Sequence, residues 1–407
     1  MPRASIPAVR GHRGALRRGS TTRPSPRAVT AALVVALLAG SGAASAEEPA
    51  SAFEFTFSSP GARSMGFAGA FVPVADDATA AFANPAGLVQ LVRPEVSLEL
   101  RLRGVLESDE EGNSTLGAVS GVSFFSAVVP VGRWSFALYG HQLASLDFKS
   151  TDTAGSAAAG VREASGERLK ELSVGRLGLA AAFRLRDNLT LGLGISHFES
   201  TVELAPLGDA SAGTRHVTST DWGLNAGVLW NPSERVRLGG FYRQGPSLDN
   251  SAAPSATSAS GNPLARTLEL PDSYGLGAAV RSRGGALTLA FEWDRVRYST
   301  LDDGLSAIAG GDEGLSIDDA DELHLGAEYA FLKVNPVLAA RAGFWFDPDH
   351  RACSSTPGSP YVCDDESGDE VHATAGFGLA FRKFQLDLGI DQSRSLVAFS
   401  ISGIVSF

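Results

Sequence analysis

The sequence predicts an all-β protein: a transmembrane antiparallel β-barrel of about 14 strands, with an N-terminal plug, or hatch, inside the lumen. Three observations predict this fold class. Short segments of alternating apolar and polar residues recur from Glu95 to the C-terminus, tight turns and longer loops alternate between them, and a basic, apolar leader indicates export. A chain with these features is expected to cross a membrane as strands.

The first segment, residues 1–46, has the composition of a cleaved export signal. Arginines as far as Arg27 occur without a single acid, an apolar core follows at residues 28–38, and residues 44–46 (Ala-Ser-Ala) offer small side chains for cleavage. Loss of this segment removes seven arginines and no acids, which lowers the net charge from −11 to −18. Such an acidic product is not expected to bind nucleic acid. The remaining chain has no apolar run near the about 18 residues that a membrane helix needs.

The last predicted strand shows the alternation most clearly. One of its faces is apolar and ends on Phe407, whereas the other carries small and hydroxyl side chains. The preceding strand also has hydrocarbon on one face and charge on the other, which is typical of a barrel with lipid outside and a polar interior. In the last strand the apolar face consists of Val397, Phe399, Ile401, Val405 and Phe407, and the other face of Ala398, Ser400, Ser402 and Ser406.

Fourteen such segments make residues 95–407 the predicted barrel. Most of the connections alternate between tight turns and longer loops, and in bacterial outer-membrane barrels the short turns lie on the periplasmic side. A soluble β-sandwich is the alternative, but outward faces nearly free of charge do not favour it. The predicted strands start near Glu95, Gly117, Trp134, Leu172, Leu189, His216, Val236, Ser273, Ala286, Asp321, Val337, Glu370, Phe384 and Val397.

The two cysteines, Cys353 and Cys363, lie ten residues apart in a predicted outer loop. In an exported chain we expect them to form one disulfide that closes this loop. Two unpaired thiols are the alternative. Metal ligation is less favoured, because the sequence has no second Cys/His pair at zinc spacing. We therefore expect no metal and no cofactor.

The segment before the first strand, residues 47–94, is predicted to form the plug. Glycine and proline occur in it too densely for a barrel strand. Asp76 or Asp77 can cap a short helical turn, and Asn84 must leave the α region because Pro85 follows it. Side chains alone would not fill the lumen of a fourteen-stranded barrel, so a compact, irregular plug is expected there.

Motifs in this segment resemble those of the FadL-type family of outer-membrane transporters for long-chain fatty acids and other hydrophobic compounds. The resemblance rests on the order and spacing of Ser58-Ser59-x-Gly61, Arg63, Ala75-Asp76-Asp77-Ala78 and Asn84-Pro85-Ala86. It implies a fourteen-stranded barrel whose lumen is closed by an N-terminal hatch. By the same resemblance, the hatch motif is Asn84, Pro85 and Ala86, and the residues that support it are Arg63, Asp76 and Asp77.

The resemblance also implies a function: passive uptake of hydrophobic compounds, such as long-chain fatty acids or hydrocarbons, with gating by the hatch. Release is then lateral, through the barrel wall where an early strand kinks. We expect a monomer in the bacterial outer membrane, in contact with lipid and lipopolysaccharide. One departure from the family is the loop at residues 146–171, which is rich in Ala, Gly and Ser and lacks bulky apolar residues.

Two other classes of function compete with a channel. A non-transporting outer-membrane scaffold or surface barrel is the alternative to a channel, and it would not need a plug that opens. An enzyme is not expected, because neither Gly-x-Ser-x-Gly nor His-Glu-x-x-His occurs in the sequence.

Charged residues on the inward faces are the candidate binding groups. Buried charges must be compensated, so one interpretation is that they pair with one another. The other is that one or two arginines hold the carboxylate of an amphipathic ligand, for which a planar bidentate donor is suited. We nominate Arg101 and Arg341, together with Phe53 and Phe55. The residues predicted to point inward are Glu99, Arg101, Arg103, Arg176, Arg237, Arg243, Glu292, Asp294, His324, Glu328, Arg341 and Asp387.

Pairs of glycines lie in the middle of three predicted strands. None completes a dinucleotide-binding motif, and we expect them on the inward face, where they make room for the plug or a ligand. The pairs are Gly192 and Gly194, Gly275 and Gly277, and Gly376 and Gly378.

Acidic clusters occur in loops and at strand ends that are predicted to face outward. Solvation is the simplest interpretation, and divalent cations that bridge them to lipopolysaccharide are the alternative. The clusters are Asp109-Glu110-Glu111, Asp318-Asp319, Asp321-Glu322 and Asp364-Asp365-Glu366.

Overall fold

The computed structural model describes residues 57–108, 114–147, 167–206, 215–249, 267–304, 315–351, 353–354, 368–394 and 396–407. They belong to one compact unit, Glu48–Phe407. The predicted leader, Phe53, Phe55, Cys363 and the acidic clusters at residues 109–111 and 364–366 lie outside the described residues, as does the side chain of Arg103. Cys353 is disulfide-bonded, and its pairing with Cys363 stays a prediction. No helix in the described part of the chain is long and apolar enough to cross a membrane.

Fourteen of the described strands are antiparallel and close into one barrel, in which the last strand pairs with the first. The predicted fold class and strand count are confirmed. The strand expected to start near Leu172 starts earlier, because its first residues are mostly charged and carry no apolar signal. The barrel strands are β1 (Glu95–Ser108), β2 (Ser114–Val131), β3 (Trp134–Asp147), β4 (Glu167–Arg186), β5 (Leu189–Pro206), β6 (Arg215–Trp230), β7 (Val236–Arg243), β10 (Ser273–Arg281), β11 (Leu287–Val296), β13 (Ala320–Phe331), β14 (Val337–Asp347), β16 (Glu370–Ala380), β17 (Phe384–Gln392) and β18 (Leu396–Ser406).

The two ends of the barrel differ, and we call them the short-turn end and the long-loop end. At the short-turn end β2 and β3 join through a tight turn, in which Gly132 has a φ of +62° that glycine adopts without strain. At the long-loop end the connections contain a 3₁₀ turn, Tyr298–Leu301, and two short ribbons. The ribbons pair β8 (Ser247–Asp249) with β9 (Thr267–Glu269), and β12 (Leu315–Ser316) with β15 (Cys353–Ser354).

The outer surface of the barrel is apolar. In β18 the side chains of Phe399, Ile401 and Val405 are exposed, whereas Ser400 and Ser402 between them are buried, as the alternation predicts. Contact of such a surface with water costs about 25 cal/mol per Å² of apolar area, so the surface is suited to lipid.

Phe407 follows the strand that closes the barrel. Its side chain is 66% exposed, and its amide donates to the carbonyl of Pro94 (3.1 Å) beside the start of β1. Replacing Phe407 with aspartate is expected to lower the amount of assembled barrel severalfold, because a charge then meets lipid where the last strand pairs with the first. Heat-modifiable protein in outer-membrane fractions measures this. Phe381→Asp changes an exposed aromatic in a short turn and should assemble normally, so equal levels of both variants would contradict the prediction.

Residues 57–94 fill the lumen, and we call them the plug. They contain two short helices, α1 (Ala62–Gly66) and α2 (Ala80–Ala83), and the 3₁₀ helix η1 (Pro85–Gln90). Their apolar side chains form one core with inward side chains of the wall, among them Phe124. Helices this short are not stable alone, so the plug depends on its contacts with the barrel.

Local chemistry sets the turns of the plug. Asn84 has a φ of −155° and a ψ of 100°, outside the α region, and Pro85 starts η1, as predicted. Asp77 accepts a hydrogen bond from the amide of Thr79 (2.9 Å) just before α2. Thr79, the residue that precedes α2, makes no capping bond with its own side chain. Asp77 therefore shapes the approach to the helix rather than its first turn.

Candidate functional site

The side chain of Asn84 joins three parts of the lumen. It is fully buried, and its Nδ2 donates to the carbonyls of Val72 in the plug (3.0 Å) and Val228 in β6 (3.1 Å). Its Oδ1 accepts from the amide of Ala86 (3.2 Å). Both donor hydrogens of the amide are therefore used, and one side chain ties the η1 turn, the rest of the plug and the wall together.

Glycines on the inward face of the wall let the plug approach closely. A Cβ at Gly192 would collide with Pro85 and Ala86, and one at Gly227 would collide with Asn84. The hydroxyl of Thr190 donates to the carbonyl of Ala86 (3.0 Å) at the same place. The hatch motif thus lies against β5 and β6, where only glycine leaves enough room.

The other glycine pairs follow this prediction only in part. Gly277 makes room for Pro73 of the plug, and Gly376 for Gly66. A Cβ at Gly194, Gly275 or Gly378 would instead collide with side chains of the wall. These three glycines accommodate neighbouring strand residues, because inward side chains of a narrow barrel also compete for space with one another.

A network of ion pairs ties the plug to the wall near the short-turn end. Arg63 of the plug lies 2.6 Å from Asp76 and 3.1 Å from both Asp77 and Glu328 of β13. Burial disfavours the charged form of Asp76, but the charges of Arg63 and Arg237 outweigh burial and lower the pKa of Asp76. A cavity of about 310 Å³ lies beside the network. The structure therefore brings Arg63, Asp76 and Asp77 together, and the wall contributes Glu328.

The two nominated arginines both have carboxylate partners. Arg341 lies 2.7 Å from Glu328 and 2.7 Å from Asp387, and Arg101 lies 2.9 Å from Glu99. This geometry agrees with the interpretation in which interior charges compensate one another. A ligand role for Arg101 or Arg341 stays a prediction.

A different interior arginine, Arg176 on β4, has no carboxylate within ion-pair distance among the described residues. Its guanidinium stacks on Phe82 of the plug, 3.9 Å from the ring centroid, and lies 5.4 Å from the ring of Phe198. One of its nitrogens is 3.3 Å from Nδ1 of His141, and its buried Nε has no hydrogen-bond partner. The alternation predicts that Arg176 points inward, but no pattern along the chain reveals that it lacks an acid.

Acidic residues and a histidine face one another on β11 and β13. Glu292 pairs across the ladder with His324, and Asp294 pairs with Glu322. The expectation of a solvated outer position for Glu322 is wrong: its side chain is buried in the lumen, whereas that of Asp321 is exposed. Residues two apart share a face of a strand, so the position of Glu322 relative to His324 was the signal.

Apolar side chains form a second core at the long-loop end, which we call the outer apolar cluster. Its residues come from barrel strands, from the ribbons and from the connections between them. No single sequence motif therefore indicates it. Phe57 at the start of the plug packs against it. Its members are Leu143, Val174, Phe198, Leu248, Leu268, Leu270, Val296, Tyr298, Leu301, Leu315, Ile317 and Ala320.

A cavity of about 60 Å³ separates the outer apolar cluster from the plug. Tyr298 of the cluster and Arg101 of β1 line it, as does His350, whose ring stacks on Tyr298 at 4.3 Å and 9°. Burial disfavours the charged form of His350, but its hydrogen bond to Asp347 and the charge of that carboxylate outweigh burial and raise the pKa of His350 to about 9. The polar lumen therefore begins directly beneath the apolar cluster.

The hydrogen-bonded wall is interrupted between β2 and β3. Their pairing begins at the short turn and ends at Phe124 and His141. Beyond this point β2 stays paired with β1, and β3 with β4, to the ends of the strands. The extra residue Leu143 forms a β-bulge in β3 where the two strands part.

The ladder between β6 and β7 also stops early, at Asn225 and Arg243, but for a different reason. There β7 itself ends, and β8 takes its place: the amide of Ser247 donates to Asp221 of β6 (2.7 Å). Among the described barrel strands, β2 and β3 are thus the two neighbours that both continue for several residues beyond the end of their shared ladder.

Sequence comparison places the chain among outer-membrane proteins. The model of the family described as "Outer membrane protein transport protein (OMPP1/FadL/TodX)" matches residues 41–400. No curated protein is significantly similar to the chain in sequence.

Several solved structures share the fold. A Pseudomonas aeruginosa FadL homologue has a TM-score of 0.60 at 15% identity, with 88% of this chain and 99% of that chain covered. The Ralstonia pickettii toluene transporter TbuX has a TM-score of 0.59 at 14% identity, with 86% and 99% covered. The Pseudomonas putida toluene transporter TodX has a TM-score of 0.56 at 16% identity, with 87% and 99% covered.

Proposed function

We propose that this chain, which belongs to the OMPP1/FadL/TodX family of outer membrane transport proteins, is a passive channel for hydrophobic compounds that carry a carboxylate, such as long-chain fatty acids. In this proposal the solute binds at the long-loop end, the plug gates the lumen, and the solute leaves sideways between β2 and β3. The long-loop end then faces the outside and the short-turn end the periplasm, as in other bacterial outer-membrane barrels.

The observation that carries the proposal is the position of Arg176. His141 is the last residue of β3 that pairs with β2, and on its other side it pairs with Arg176. Leu143, at the bulge beside it, belongs to the outer apolar cluster. An acyl chain buried in that cluster gains about 0.8 kcal/mol per CH₂, and a guanidinium without an acidic partner can bind the carboxylate at its end. An apolar site, a guanidinium without an acidic partner among the described residues and the interrupted ladder therefore adjoin one another.

The same arginine supports a way of opening the plug without an energy source. Phe82 of α2 lies between two guanidiniums, with Arg176 at 3.9 Å and Arg243 at 4.2 Å from its ring centroid. A carboxylate that binds Arg176 competes with Phe82 for that cation. The solute would thus loosen α2 by binding, while Arg243 keeps its hydrogen bonds to the carbonyls of Phe82 and Ala83 (3.3 and 3.0 Å).

Replacing Arg176 with glutamine is expected to weaken binding of a labelled long-chain fatty acid to the purified protein at least about tenfold, because a charge-assisted hydrogen bond contributes about 1.5–3 kcal/mol. Equilibrium binding in detergent measures this. Arg176→Lys keeps the charge and should retain part of the affinity.

Toluene, the compound named for TbuX and TodX, is the matched neutral ligand. Its binding should not depend on Arg176, because it has no carboxylate. If the fatty acid binds the glutamine variant as well as it binds the wild type, Arg176 is not the anchor. If only toluene binds the wild type, the substrate class is neutral hydrocarbons.

A further inference from the structure

The inward faces of β11 and β13 bring three carboxylates and one imidazole together. Glu292 is opposite His324, and Asp294 is opposite Glu322. Alternate residues of a strand share a face, and opposite residues of an antiparallel pair have Cβ atoms about 4.5–5.5 Å apart. The four side chains therefore form one compact group in the lumen, which we call the lumen histidine cluster.

The side chains of this cluster lie close enough together to hold a metal ion after small shifts. One atom each from Asp294, Glu322 and His324 lies within 4.8 Å of the others. Nε2 of His324 is 3.4 Å from a carboxylate oxygen of Glu322 and 4.0 Å from one of Asp294. Tetrahedral Zn²⁺ with bonds of about 2.0–2.1 Å has ligand atoms about 3.3 Å apart, so small side-chain shifts bring all three to an ion.

The plug fixes the orientation of the imidazole. Nδ1 of His324 lies 2.8 Å from the carbonyl oxygen of Ala68, which can only accept, so Nδ1 is the donor. The ring also stacks on Trp345 at 5.4 Å and 15°. Nε2 therefore points at the two carboxylates, and it is buried without a hydrogen bond of good geometry, as is one oxygen of Asp294. When a histidine binds a metal through one ring nitrogen, the other ring nitrogen usually donates a hydrogen bond to a carboxylate, a backbone carbonyl or water.

The charge balance of the cluster differs from that of Glu99, Glu328 and Asp387. Glu99 has Arg101, and Glu328 and Asp387 share Arg341. Within the part of the chain that the structure describes, His324 is the basic residue that lies within ion-pair distance of Asp294 and Glu322. The nearby guanidinium of Arg243 donates to carbonyls of the plug instead.

Glu292 adds to this negative charge. It is 1% exposed, and one of its oxygens accepts from the amide of Val72 of the plug (2.7 Å). Buried carboxylates are paired or coordinate metal ions, because an uncompensated charge in a dry interior is costly. Among the described residues, the carboxylates of this cluster thus have no arginine within ion-pair distance, unlike Glu99, Glu328 and Asp387.

We propose that Asp294, Glu322 and His324 bind a divalent transition-metal ion of the zinc class, with water as the fourth ligand. One imidazole and two carboxylates suit Zn²⁺, Mn²⁺ or Fe²⁺, whereas Ca²⁺ and Mg²⁺ prefer oxygen alone. Glu322 and His324 line the cavity of about 60 Å³, which has room for water. The ligands come from two different strands, so no short sequence motif indicates the site.

The ion would also act on the plug. It fixes the imidazole whose other nitrogen binds the carbonyl of Ala68, so the metal and the plug share one side chain. Metal binding therefore holds α1 and the turn that follows it against β13.

The test measures Co²⁺ binding to the mature protein, purified in detergent, stripped with a chelator and freed of any histidine tag. The wild type is expected to retain about one Co²⁺ per chain after dialysis and to show the intense visible absorption of a four-coordinate site. Glu322→Gln and His324→Gln should each lower the affinity at least about tenfold and remove that absorption. Zn²⁺ should displace Co²⁺ from the wild type.

His141→Gln is the matched control, because it removes another buried, inward histidine that is not part of the cluster. It should bind Co²⁺ like the wild type. Glutamine has the same shape as glutamate, so Glu322→Gln still tests the proposal if the histidine variant does not assemble. Equal binding by the wild type and both cluster variants would assign the metal to outer acidic residues, and no binding by the wild type would mean that protons compensate the carboxylates. Either result overturns the proposal.

Discussion

Replacing Asn84 with alanine is expected to make the barrel leak small hydrophilic solutes. The change removes two donors from the buried carbonyls of Val72 and Val228 and the acceptor for the amide of Ala86. Each of the three buried groups left without a partner costs about 1–3 kcal/mol, so the closed plug loses at least about 3 kcal/mol. This corresponds to at least about a 150-fold shift toward the open form, if the open plug does not keep these bonds.

Swelling of liposomes that contain the purified protein measures the leak. Asn84→Asp should leak still more, because a carboxylate oxygen would replace the Nδ2 donor and repel the two carbonyl oxygens to which Nδ2 donates. Asn188→Ala, in an exposed short turn, is the matched control and should stay closed. The amount of heat-modifiable barrel should be the same in all three variants. If the Asn84→Ala barrel does not leak, this side chain does not hold the plug closed.

Deleting Leu143 is expected to lower uptake of a labelled long-chain fatty acid at least about tenfold. Leu143 is the extra residue that shifts the register of β3 against β4. Without the bulge β3 loses its local bend and can continue its ladder with β2 past Phe124 and His141, which closes the proposed lateral path. Uptake into cells that produce the variant measures the effect.

The chain offers a second bulge as the control. Leu185 is skipped in the register of β4 against β5, near the short-turn end and far from the proposed opening. Deleting Leu185 should leave uptake unchanged, provided that the barrel assembles. Binding of the fatty acid to purified protein is measured as well, because Leu143 also belongs to the outer apolar cluster. A loss of uptake that exceeds the loss of binding assigns the effect to release. Wild-type uptake by the Leu143 deletion would rule out the lateral route and favour passage through the plug.

Alternation was a reliable guide to the barrel because lipid and lumen demand different side chains on the two faces of every strand. In β18 the alternation places Ser400 and Ser402 inside and Phe399 and Ile401 outside. Local rules were equally sufficient at Asn84, since the residue before a proline avoids the α region whatever surrounds it.

The same alternation could not decide what each inward side chain does. Arg101, Arg176 and Arg341 all point inward in the sequence pattern, yet only Arg176 lacks a carboxylate partner in the described structure. Whether an acid lies within reach depends on the register of the neighbouring strands and on which plug atoms fill the space. An acidic pair such as Asp321-Glu322 predicts an outer position, but Glu322 lies in the lumen because it shares the inward face of β13 with His324.

The sequence by itself therefore determined the barrel, the number of its strands and the existence of a plug with a turn at Asn84 and Pro85. Only the tertiary structure decided where the wall is interrupted, which described inward arginines pair with a carboxylate and which carboxylates meet His324. The physical reason is the same in each case. Side-chain alternation records which face of a strand meets lipid, whereas hydrogen bonds between strands and charge pairs across the lumen depend on residues that are distant along the chain.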